Sequence, residues 1–327
     1  MEVKEFLAEW HNDSPTVLVH TSGSTGEPKP MWVEKRRMEA SARMTCDFLG
    51  LREGDTALLC MPLDYIAGKM MVVRSLVRGL RLVSVEPSGE PLGTVADGLD
   101  IDFAAMVPMQ VWNTLQVLEQ RERLMKVRHL IIGGGAIDDA MARQLALFPN
   151  QVWSTYGMTE TLSHIALRRL SGADATEWYT PMEGVSLSLT DEGCLVIDAP
   201  AVHDGPLVTN DIAEITDKGF RILGRKDNVV CSGGIKIQIE EVERRLRPHL
   251  RVPYLISKRP DHKFGEAVVM LTEGSTAEVR MVCQQVLPKF WQPRDYVHTS
   301  RIPLTETGKP ARKEAEKIVA SALARMD

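Results

Sequence analysis

The chain has 327 residues, which is enough for two domains that each bury a hydrophobic core. Its composition, 44% apolar and 25% charged, is that of an ordinary globular protein, and its net charge of −5 argues against nucleic acid as a partner. No apolar run approaches the roughly 20 residues that span a bilayer, and the acidic start is unlike a signal peptide, so we expect a cytoplasmic protein without membrane insertion. The five cysteines form no CxxC pair, which argues against a disulfide framework or a zinc site.

The first informative segment is a loop rich in hydroxyl groups and glycines between two apolar runs. It reads Thr21-Ser22-Gly23-Ser24-Thr25-Gly26-Glu27-Pro28-Lys29. Glycines let backbone N–H groups turn toward an anion, while hydroxyls and a lysine add further donors. With strands at 17–19 and 31–33, the pattern predicts a hairpin that grips a triphosphate. It is not the common nucleotide loop, because Pro28 separates the last glycine from Lys29. On composition alone, a flexible surface turn is the alternative.

Alternating strands and helices follow this loop. Strands are predicted at 56–61, 80–85, 102–107 and 129–132, with helices at 34–48, 68–77 and 109–120. Such alternation predicts a sheet covered by helices. Shorter strands at 186–190, 194–197, 213–216 and 221–223 indicate a smaller antiparallel region. After Gly224 a further unit begins, with helices at 239–246, 277–286 and 311–324 and strands at 253–257 and 267–271.

Two further motifs are predicted to lie on turns, and the first of them ends the strand predicted at 129–132. Gly133-Gly134-Gly135 would let a flat ring or a substrate approach the backbone, and a plain strand-to-helix turn is the alternative. Tyr156-Gly157-Met158-Thr159-Glu160 places an aromatic ring, a hydroxyl and a carboxylate on a short turn. Tyr156 could stack on adenine, Thr159 could hold a phosphate oxygen, and Glu160 could bind Mg²⁺. A capped helix start with a core tyrosine is the alternative for this second motif.

Two later segments carry acidic and cationic side chains at predicted loop positions. They are Thr209-Asn210-Asp211 and Gly224-Arg225-Lys226-Asp227. Asp211 could accept hydrogen bonds from both ribose hydroxyls, as acidic residues do in dinucleotide sites. Surface turns explain either segment when it is taken alone.

Taken in order, these motifs resemble those of the adenylate-forming acyl-CoA ligase family, and the resemblance covers nearly the whole chain. Two further segments complete it, Ser232-Gly233-Gly234-Ile235-Lys236-Ile237 and Pro303-Leu304-Thr305-Glu306-Thr307-Gly308-Lys309. The resemblance implies an α/β fold with a large N-terminal domain, residues 1–224, and a small mobile α+β domain, residues 225–327. Compared with the family, the large domain is truncated at its start. We therefore expect that a homodimer completes the core or that local elements cap the sheet edge.

The resemblance also implies a two-step reaction on small-molecule substrates with ATP, Mg²⁺ and coenzyme A. A carboxylate and ATP would first give an acyl-AMP and pyrophosphate, and coenzyme A would then displace AMP to give an acyl-CoA. By similarity, the Thr21–Lys29 loop would bind the β- and γ-phosphates and Glu160 would bind Mg²⁺. Lys309 would bridge the acid and the α-phosphate, a task that suits the compact charge of lysine. Without the resemblance, a lysine after Thr-Gly is usually a solvated turn residue.

The same resemblance assigns roles to residues that join and follow the two domains. Arg225 would contact the ribose and Asp227 would be the hinge about which the second domain turns. Ser232, Gly233 and Gly234 would then line a narrow path for the pantetheine arm of coenzyme A. A simple hairpin turn is the alternative for these glycines.

Within the family, the segment Tyr156–Leu167 and the short chain resemble the ligases that act on o-succinylbenzoate in menaquinone biosynthesis. That acid has two carboxylates, so the one that does not react needs a cation, water or solvent. Arg74 is the best single candidate for this cation, with Tyr65 and Ser163 as further acyl-pocket residues. Ser163 and His164 could instead be packing residues on a helix after the turn. A ligase for another aryl or acyl acid and a non-catalytic nucleotide-binding protein are the alternative functions.

Overall fold

The computed structural model describes residues 1–20, 30–135, 137, 139–305 and 310–324. Contacts divide the chain into two units. The first unit contains Met1–Ser188, Val196–Leu207 and Ile215–Arg221, and the second contains Leu189–Leu195, Val208–Glu214 and Ile222–Asp327. The division expected after residue 224 and the mobility of the part that follows it stay predictions. Among the described residues, none of the helices is long and apolar enough to cross a membrane.

The elements of the first unit show the alternation of strands and helices that the sequence predicts. In chain order they are α1 (Val3–Trp10), β1 (Thr16–His20), β2 (Pro30–Glu34), α2 (Lys35–Leu49), β3 (Thr56–Leu59), α3 (Ile66–Arg78), β4 (Arg81–Ser84), β5 (Phe103–Met106), α4 (Pro108–Gln116), α5 (Leu118–Leu124), β6 (His129–Ile132), α6 (Asp139–Leu145), β7 (Gln151–Gly157), β8 (His164–Arg169) and β9 (Thr180–Pro181). The helix predicted at 109–120 is two helices, because Val117 adopts an extended backbone, φ −109° and ψ 114°, between them. Short 3-10 helices lie at Pro91–Gly93 and Thr159–Thr161.

A seven-stranded sheet forms the centre of the first unit. Its strand order is β4-β3-β5-β6-β7-β8-β9. Strands β4, β3, β5, β6 and β7 pair parallel, whereas β8 and β9 continue the sheet antiparallel. Every residue of β3, β5 and β6 is buried, as expected for parallel strands covered by helices on both faces. Because the carboxyl ends of parallel strands meet at one sheet edge, the loops after β6 and β7 are neighbours.

The predicted hairpin around the phosphate loop is confirmed in its two strands. Strands β1 and β2 pair antiparallel and end with His20 opposite Pro30, on either side of residues 21–29. His20 also pairs with Tyr65 through an isolated parallel bridge. The backbone just before α3 therefore lies beside the end of β1. This contact brings the segment that carries the acyl-pocket candidate Tyr65 next to the start of the phosphate-loop motif.

A four-stranded sheet follows, and its strands are shared between the two units. Strands β10 (Ser186–Leu189), β11 (Cys194–Asp198), β12 (Leu207–Thr216) and β13 (Gly219–Arg225) lie side by side in chain order. The prediction that Thr209–Asp211 and Arg225 lie in loops is wrong, because they belong to β12 and β13. Only Thr209 and Ala213 of β12 are buried, so the apolar pattern that indicates a strand is weak there.

The second unit is completed by an α+β arrangement close to the predicted one. Its further elements are β14 (Val229–Ser232), β15 (Ile235–Gln238), α7 (Ile239–Leu246), β16 (Tyr254–Asp261), β17 (Gly265–Thr272), α8 (Thr276–Val286), β18 (Asp295–His298) and α9 (Arg312–Leu323). The sheet order is β15-β14-β17-β16, and β18 pairs parallel with β17. Successive residues of β17 enter different hydrophobic clusters: Val268 and Met270 pack with α7 and α8, and Val269 and Leu271 pack with α9. The sheet therefore has helices on both faces.

The start of α9 is anchored to this core by a salt bridge. Arg312 donates from Nη1 and Nη2 to the two carboxylate oxygens of Glu243 on α7, at 3.0 and 2.9 Å. The Ala311 N–H donates to the Pro303 carbonyl oxygen at 2.9 Å, and Leu304 pairs with Pro310. These contacts fix both ends of the segment that contains residues 306–309.

Candidate functional site

Of the three glycines after β6, the first lies close against a side chain of the neighbouring strand β7. The Gly133 N–H donates to the Met106 carbonyl oxygen at 3.1 Å, and a Cβ atom on Gly133 would lie 2.4 Å from the Thr155 hydroxyl oxygen. Gly134 adopts φ +81°, a left-handed conformation that favours glycine. Gly134 and Gly135 are exposed. The loop after β6 therefore presents bare backbone beside the end of β7.

The chain turns sharply after Tyr156. A Cβ atom on Gly157 would lie 2.2 Å from the Ser163 carbonyl oxygen, so the two sides of the turn touch through backbone. The Met158 N–H donates to the Thr161 hydroxyl at 3.1 Å, which closes the turn. Leu162 then takes φ 64° and reverses the chain into β8. A single 3-10 turn, Thr159–Thr161, begins here. The alternative of a helix that carries Ser163 and His164 is wrong, because the chain leads into the antiparallel strand β8 at His164.

Within this turn, the predicted residues differ in exposure. The Thr159 side chain is buried, and the Glu160 carboxylate is exposed to solvent. The Tyr156 ring is half-buried against an aromatic wall, 5.3 Å from the Phe220 ring and 6.0 Å from the Tyr179 ring, measured between centroids. An aromatic wall of this kind can stack on a flat heterocycle.

Arg74 is the largest fully buried side chain among the described residues. Its Nη2 donates to the Ser163 hydroxyl oxygen at 2.6 Å, and its Nη1 lies 3.8 Å from the Met71 sulfur. Its Nε is buried without a hydrogen-bond partner in the described part of the chain. Burial lowers the pKa of Arg74 to about 10, so the guanidinium stays charged at neutral pH. The structure thus brings together two residues that the sequence named for the acyl pocket.

A buried histidine next to this pair was not assigned a definite role from sequence. His164 lies with Nδ1 3.2 Å from the Ser163 hydroxyl and Nε2 3.1 Å from the hydroxyl of Thr45 on α2. Burial lowers the pKa of His164 well below 6.5, and the charge of Arg74 acts in the same direction. Thr45 and His164 are 119 residues apart, so no local pattern links them. The only signal in the sequence is a histidine at the start of an apolar strand.

In the second unit, one arginine joins the predicted ribose and hinge residues. Arg225 donates from Nη1 to Asp211 at 3.1 Å and from Nη2 to Asp227 at 3.0 Å. The Asn210 side chain also donates to Asp227, at 3.2 Å. Burial alone would lower the pKa of Arg225, but the hydrogen bond to Asp227 and the charges of both carboxylates raise it overall. The structure therefore brings Asp211, Arg225 and Asp227 together.

The predicted coenzyme A path forms a hairpin turn between β14 and β15. Ser232 pairs with Ile235, and the Gly233 N–H donates to the Phe264 carbonyl oxygen at 2.8 Å. Gly233 and Gly234 have φ +58° and +83°, and both are exposed. A side chain on Gly234 would meet no described atom within 4 Å. The structure thus contains the hairpin turn that was the alternative for these glycines, and the coenzyme A path stays a prediction.

The remaining predicted site residues lie outside the described residues, and their roles stay predictions. They are Thr21, Ser22, Gly23, Ser24, Thr25, Gly26, Lys29 and Lys309.

Comparison with known proteins places this architecture in a family. The model of the AMP-binding enzyme family matches residues 3–205, more than half of the chain. The chain belongs to this family. A solved acyl-CoA synthetase (AMP-forming)/AMP-acid ligase II-like protein from Dyadobacter fermentans is 31% identical, with a TM-score of 0.66, and the match covers 99% of this chain and 93% of that one.

Longer proteins of the same fold are also similar. The 2-succinylbenzoate–CoA ligase of Bacillus cereus strain Q1 is 24% identical, over 95% of this chain and 72% of that protein. The o-succinylbenzoate coenzyme A synthetase of Bacillus subtilis, solved with ATP and magnesium ion, is 22% identical, with a TM-score of 0.76, over 91% of this chain and 69% of that one. The adenylate-forming α/β fold expected from the sequence is thus confirmed.

We expect acid to destabilise the first unit through His164. Because the folded protein holds the pKa of His164 well below 6.5, the unfolded chain binds a proton near pH 6.5 that the folded protein resists. The free energy of unfolding should therefore fall as the pH drops below that value, by up to about 1.4 kcal/mol per pH unit until the folded pKa is reached. Denaturant unfolding followed at several pH values between 7 and 5 measures this slope.

The variant His164→Asn should reduce the slope. His129, at the start of β6, is a matched control, because burial and the charge of Arg128 also lower its pKa. His129→Gln should remove only the pH dependence that His129 contributes to the free energy of unfolding. The contribution of His164 should remain. A slope that is the same in His164→Asn and in the original protein would contradict the assignment of a neutral, buried His164.

Proposed function

We propose that the protein is an AMP-forming acid–thiol ligase that converts o-succinylbenzoate to o-succinylbenzoyl-CoA. A carboxylate is a poor acyl donor because oxide is a poor leaving group, so it is first joined to AMP with release of pyrophosphate. Coenzyme A then displaces AMP. Membership of the AMP-binding enzyme family supports the reaction class. The ligase named for the Bacillus cereus relative, at 24% identity, supports the acid.

Nucleotide contacts are proposed for residues of each unit separately. Tyr156 would stack on the adenine, the bare backbone at Gly133, Gly134 and Gly135 would lie along its edge, and Thr159 would hold a phosphate oxygen. This assignment is supported by the exposed backbone of Gly134 and Gly135 and by the aromatic wall around Tyr156. Asp211 would accept hydrogen bonds from the ribose hydroxyls with Arg225 beside it. The Thr21–Lys29 loop would bind the β- and γ-phosphates.

Magnesium fits the chemistry of the turn after β7. Glu160 supplies an exposed carboxylate on a turn that Thr161 closes. Mg²⁺ prefers such hard oxygen ligands and is usually held by one or two carboxylates together with substrate phosphates. When bound, the ion would neutralise charge on the phosphates. Glu160 is the residue that would hold it.

The single observation that carries the choice of acid is the buried charge of Arg74. The guanidinium is fully buried, and within the described part of the chain no carboxylate forms a salt bridge with it. A buried charge without a counter-ion is costly, so a ligand that brings an anion to this place would be stabilised. An acid with two carboxylates can present one to the α-phosphate and the other to Arg74. A simple benzoate or fatty acid lacks the second group.

The two steps would use different residues of this chain. In adenylation, Lys309 would contact both the attacking carboxylate and the α-phosphate, where negative charge accumulates. In thioester formation, the turn at Ser232, Gly233 and Gly234 would line the path of the pantetheine arm, and Asp227 would be the hinge between the two arrangements.

A panel of acids tests the proposal. We expect ATP-dependent pyrophosphate release with o-succinylbenzoate, and little release with benzoate, succinate or a medium-chain fatty acid. Turnover of another acid in place of o-succinylbenzoate would keep the mechanism and discard the assigned substrate. No release with any acid, in assays that include coenzyme A and Mg²⁺, would favour a non-catalytic nucleotide-binding protein.

We expect Lys309→Ala to separate the two steps. Removing the lysine should lower the rate of adenylation by about 10²-fold or more, because a charge that stabilises the transition state is lost. Formation of the thioester from supplied acyl-AMP and coenzyme A should remain largely active. Lys317→Ala is the control, because this exposed lysine of α9 pairs only with Glu314 among the described residues. Equal loss of both half-reactions in Lys309→Ala would count against its role.

We expect Gly234→Trp to have the opposite effect. The indole ring should obstruct the pantetheine path and slow thioester formation, while adenylation continues. The matched control is Gly193→Trp, because Gly193 also has a positive φ, +79°, and lies in the second unit. This control accounts for the strain that a side chain causes at such a backbone angle. Normal thioester formation in Gly234→Trp would refute a pantetheine path at this turn.

A further inference from the structure

The orientation of Arg74 depends on one strong hydrogen bond. Four rotatable bonds orient the planar guanidinium of arginine, and all its N–H groups are donors. The contact from Nη2 to the Ser163 hydroxyl, at 2.6 Å, is the short one. The contact from Nη1 to the Met71 sulfur, at 3.8 Å, involves a weak acceptor. The position of the Ser163 hydroxyl therefore decides where the guanidinium points.

The Ser163 hydroxyl is itself held by a chain of hydrogen bonds. Its oxygen accepts from Arg74, so its single proton is available for the Nδ1 of His164, 3.2 Å away. At the other end, the Thr45 hydroxyl donates to the Ser41 carbonyl oxygen at 3.1 Å. The Thr45 oxygen is then an acceptor for the Nε2 of His164, at 3.1 Å. One assignment of protons satisfies every contact, with His164 neutral and protonated on Nε2.

This assignment agrees with the electrostatics of the site. Burial and the charge of Arg74 both lower the pKa of His164, which favours the neutral ring. A protonated ring would turn Nδ1 into a donor and oppose the Ser163 proton. The thiol of Cys46, which also interacts with Arg74, is kept neutral because burial raises its pKa. Arg74 is thus the one charged group in this hydrogen-bonded cluster of described residues.

We propose that His164 and Thr45 are positioning residues for acid specificity: they hold the Ser163 hydroxyl in the orientation that aims Arg74 at the second carboxylate of the acid. The inference rests on the proposed function, because it needs an acid that carries a second carboxylate. His164 acts through Ser163 and Arg74 and does not touch the reacting atoms. Loss of this chain of hydrogen bonds should therefore weaken discrimination between acids and leave the KM for ATP unchanged.

The test compares two acids that differ only in the unreactive carboxylate. The first is o-succinylbenzoate, and the second is its analogue with a neutral amide at that position. The readout is the ratio of kcat/KM for the two acids, with the KM for ATP measured alongside. In the original protein the dicarboxylate should be preferred by about 10²-fold, as expected for loss of a charge-assisted hydrogen bond in a buried site. His164→Leu should lower that preference by about tenfold or more.

Matched variants separate positioning from simple loss of packing. Thr45→Val removes the hydroxyl with little change of shape and should lower the preference, whereas Thr45→Ser keeps the hydroxyl and should retain it. His164→Asn restores an acceptor toward Ser163 and should recover part of the preference. His129→Gln, at the opposite end of the parallel strands, should leave the preference unchanged. Thermal unfolding of every variant shows whether it is folded.

The outcomes distinguish the inference from the function on which it rests. Equal use of both acids by the original protein would overturn the assigned carboxylate contact and this inference with it. A clear preference in the original protein that is unchanged in His164→Leu and Thr45→Val would overturn the positioning role alone. A lower preference in Thr45→Val together with a retained one in Thr45→Ser would support it. A parallel rise in the KM for ATP would indicate general damage to the site and would also count against it.

Discussion

The charge buried at Arg74 is the constraint on which the proposed acyl pocket depends. Moving a guanidinium out of water is costly, and that cost lowers its pKa to about 10 without removing the charge at neutral pH. The groups that its hydrogen bonds reach, a hydroxyl and a thioether, are neutral, and burial also keeps the Cys46 thiol that it influences neutral. For folding alone, a well-packed apolar side chain of similar volume would serve this position as well or better. The arginine is therefore explained by the proposal that an anionic substrate binds to it.

The fold of the first unit could be predicted where its strands are buried on both faces. Strands β3, β5 and β6 are short apolar runs between polar turns, so their pattern is strong. Strand β12 has only two buried residues, and its polar residues Asn210 and Asp211 are typical of a loop. Strand β8 was missed for another reason. Its direction depends on the positive φ of Leu162 and on the close approach of Gly157 to Ser163, and both are properties of the folded backbone.

The sequence predicts which residues form the candidate site better than it predicts how those residues are arranged. The sequence singled out Arg74 and Ser163 separately, and only the fold brings their side chains within 2.6 Å. Asp211 and Arg225 were likewise named separately, and their 3.1 Å contact depends on the register of neighbouring strands. Thr45 could not be found, because a threonine on an amphipathic helix has no local feature that links it to a histidine on a distant strand. The role proposed for Lys309 rests on the sequence motif alone.

The requirements at position 164 follow from its two neighbours. Toward Ser163 the side chain must accept a hydrogen bond, because the Ser163 oxygen is already an acceptor for Arg74. Toward Thr45 it must donate, because the Thr45 proton is directed to a backbone carbonyl oxygen. A cation at this place would repel Arg74, and a carboxylate would neutralise the charge that an acid is proposed to bind. A neutral imidazole has an acceptor and a donor on opposite sides of one ring, so it satisfies both neighbours and leaves the charge of Arg74 available.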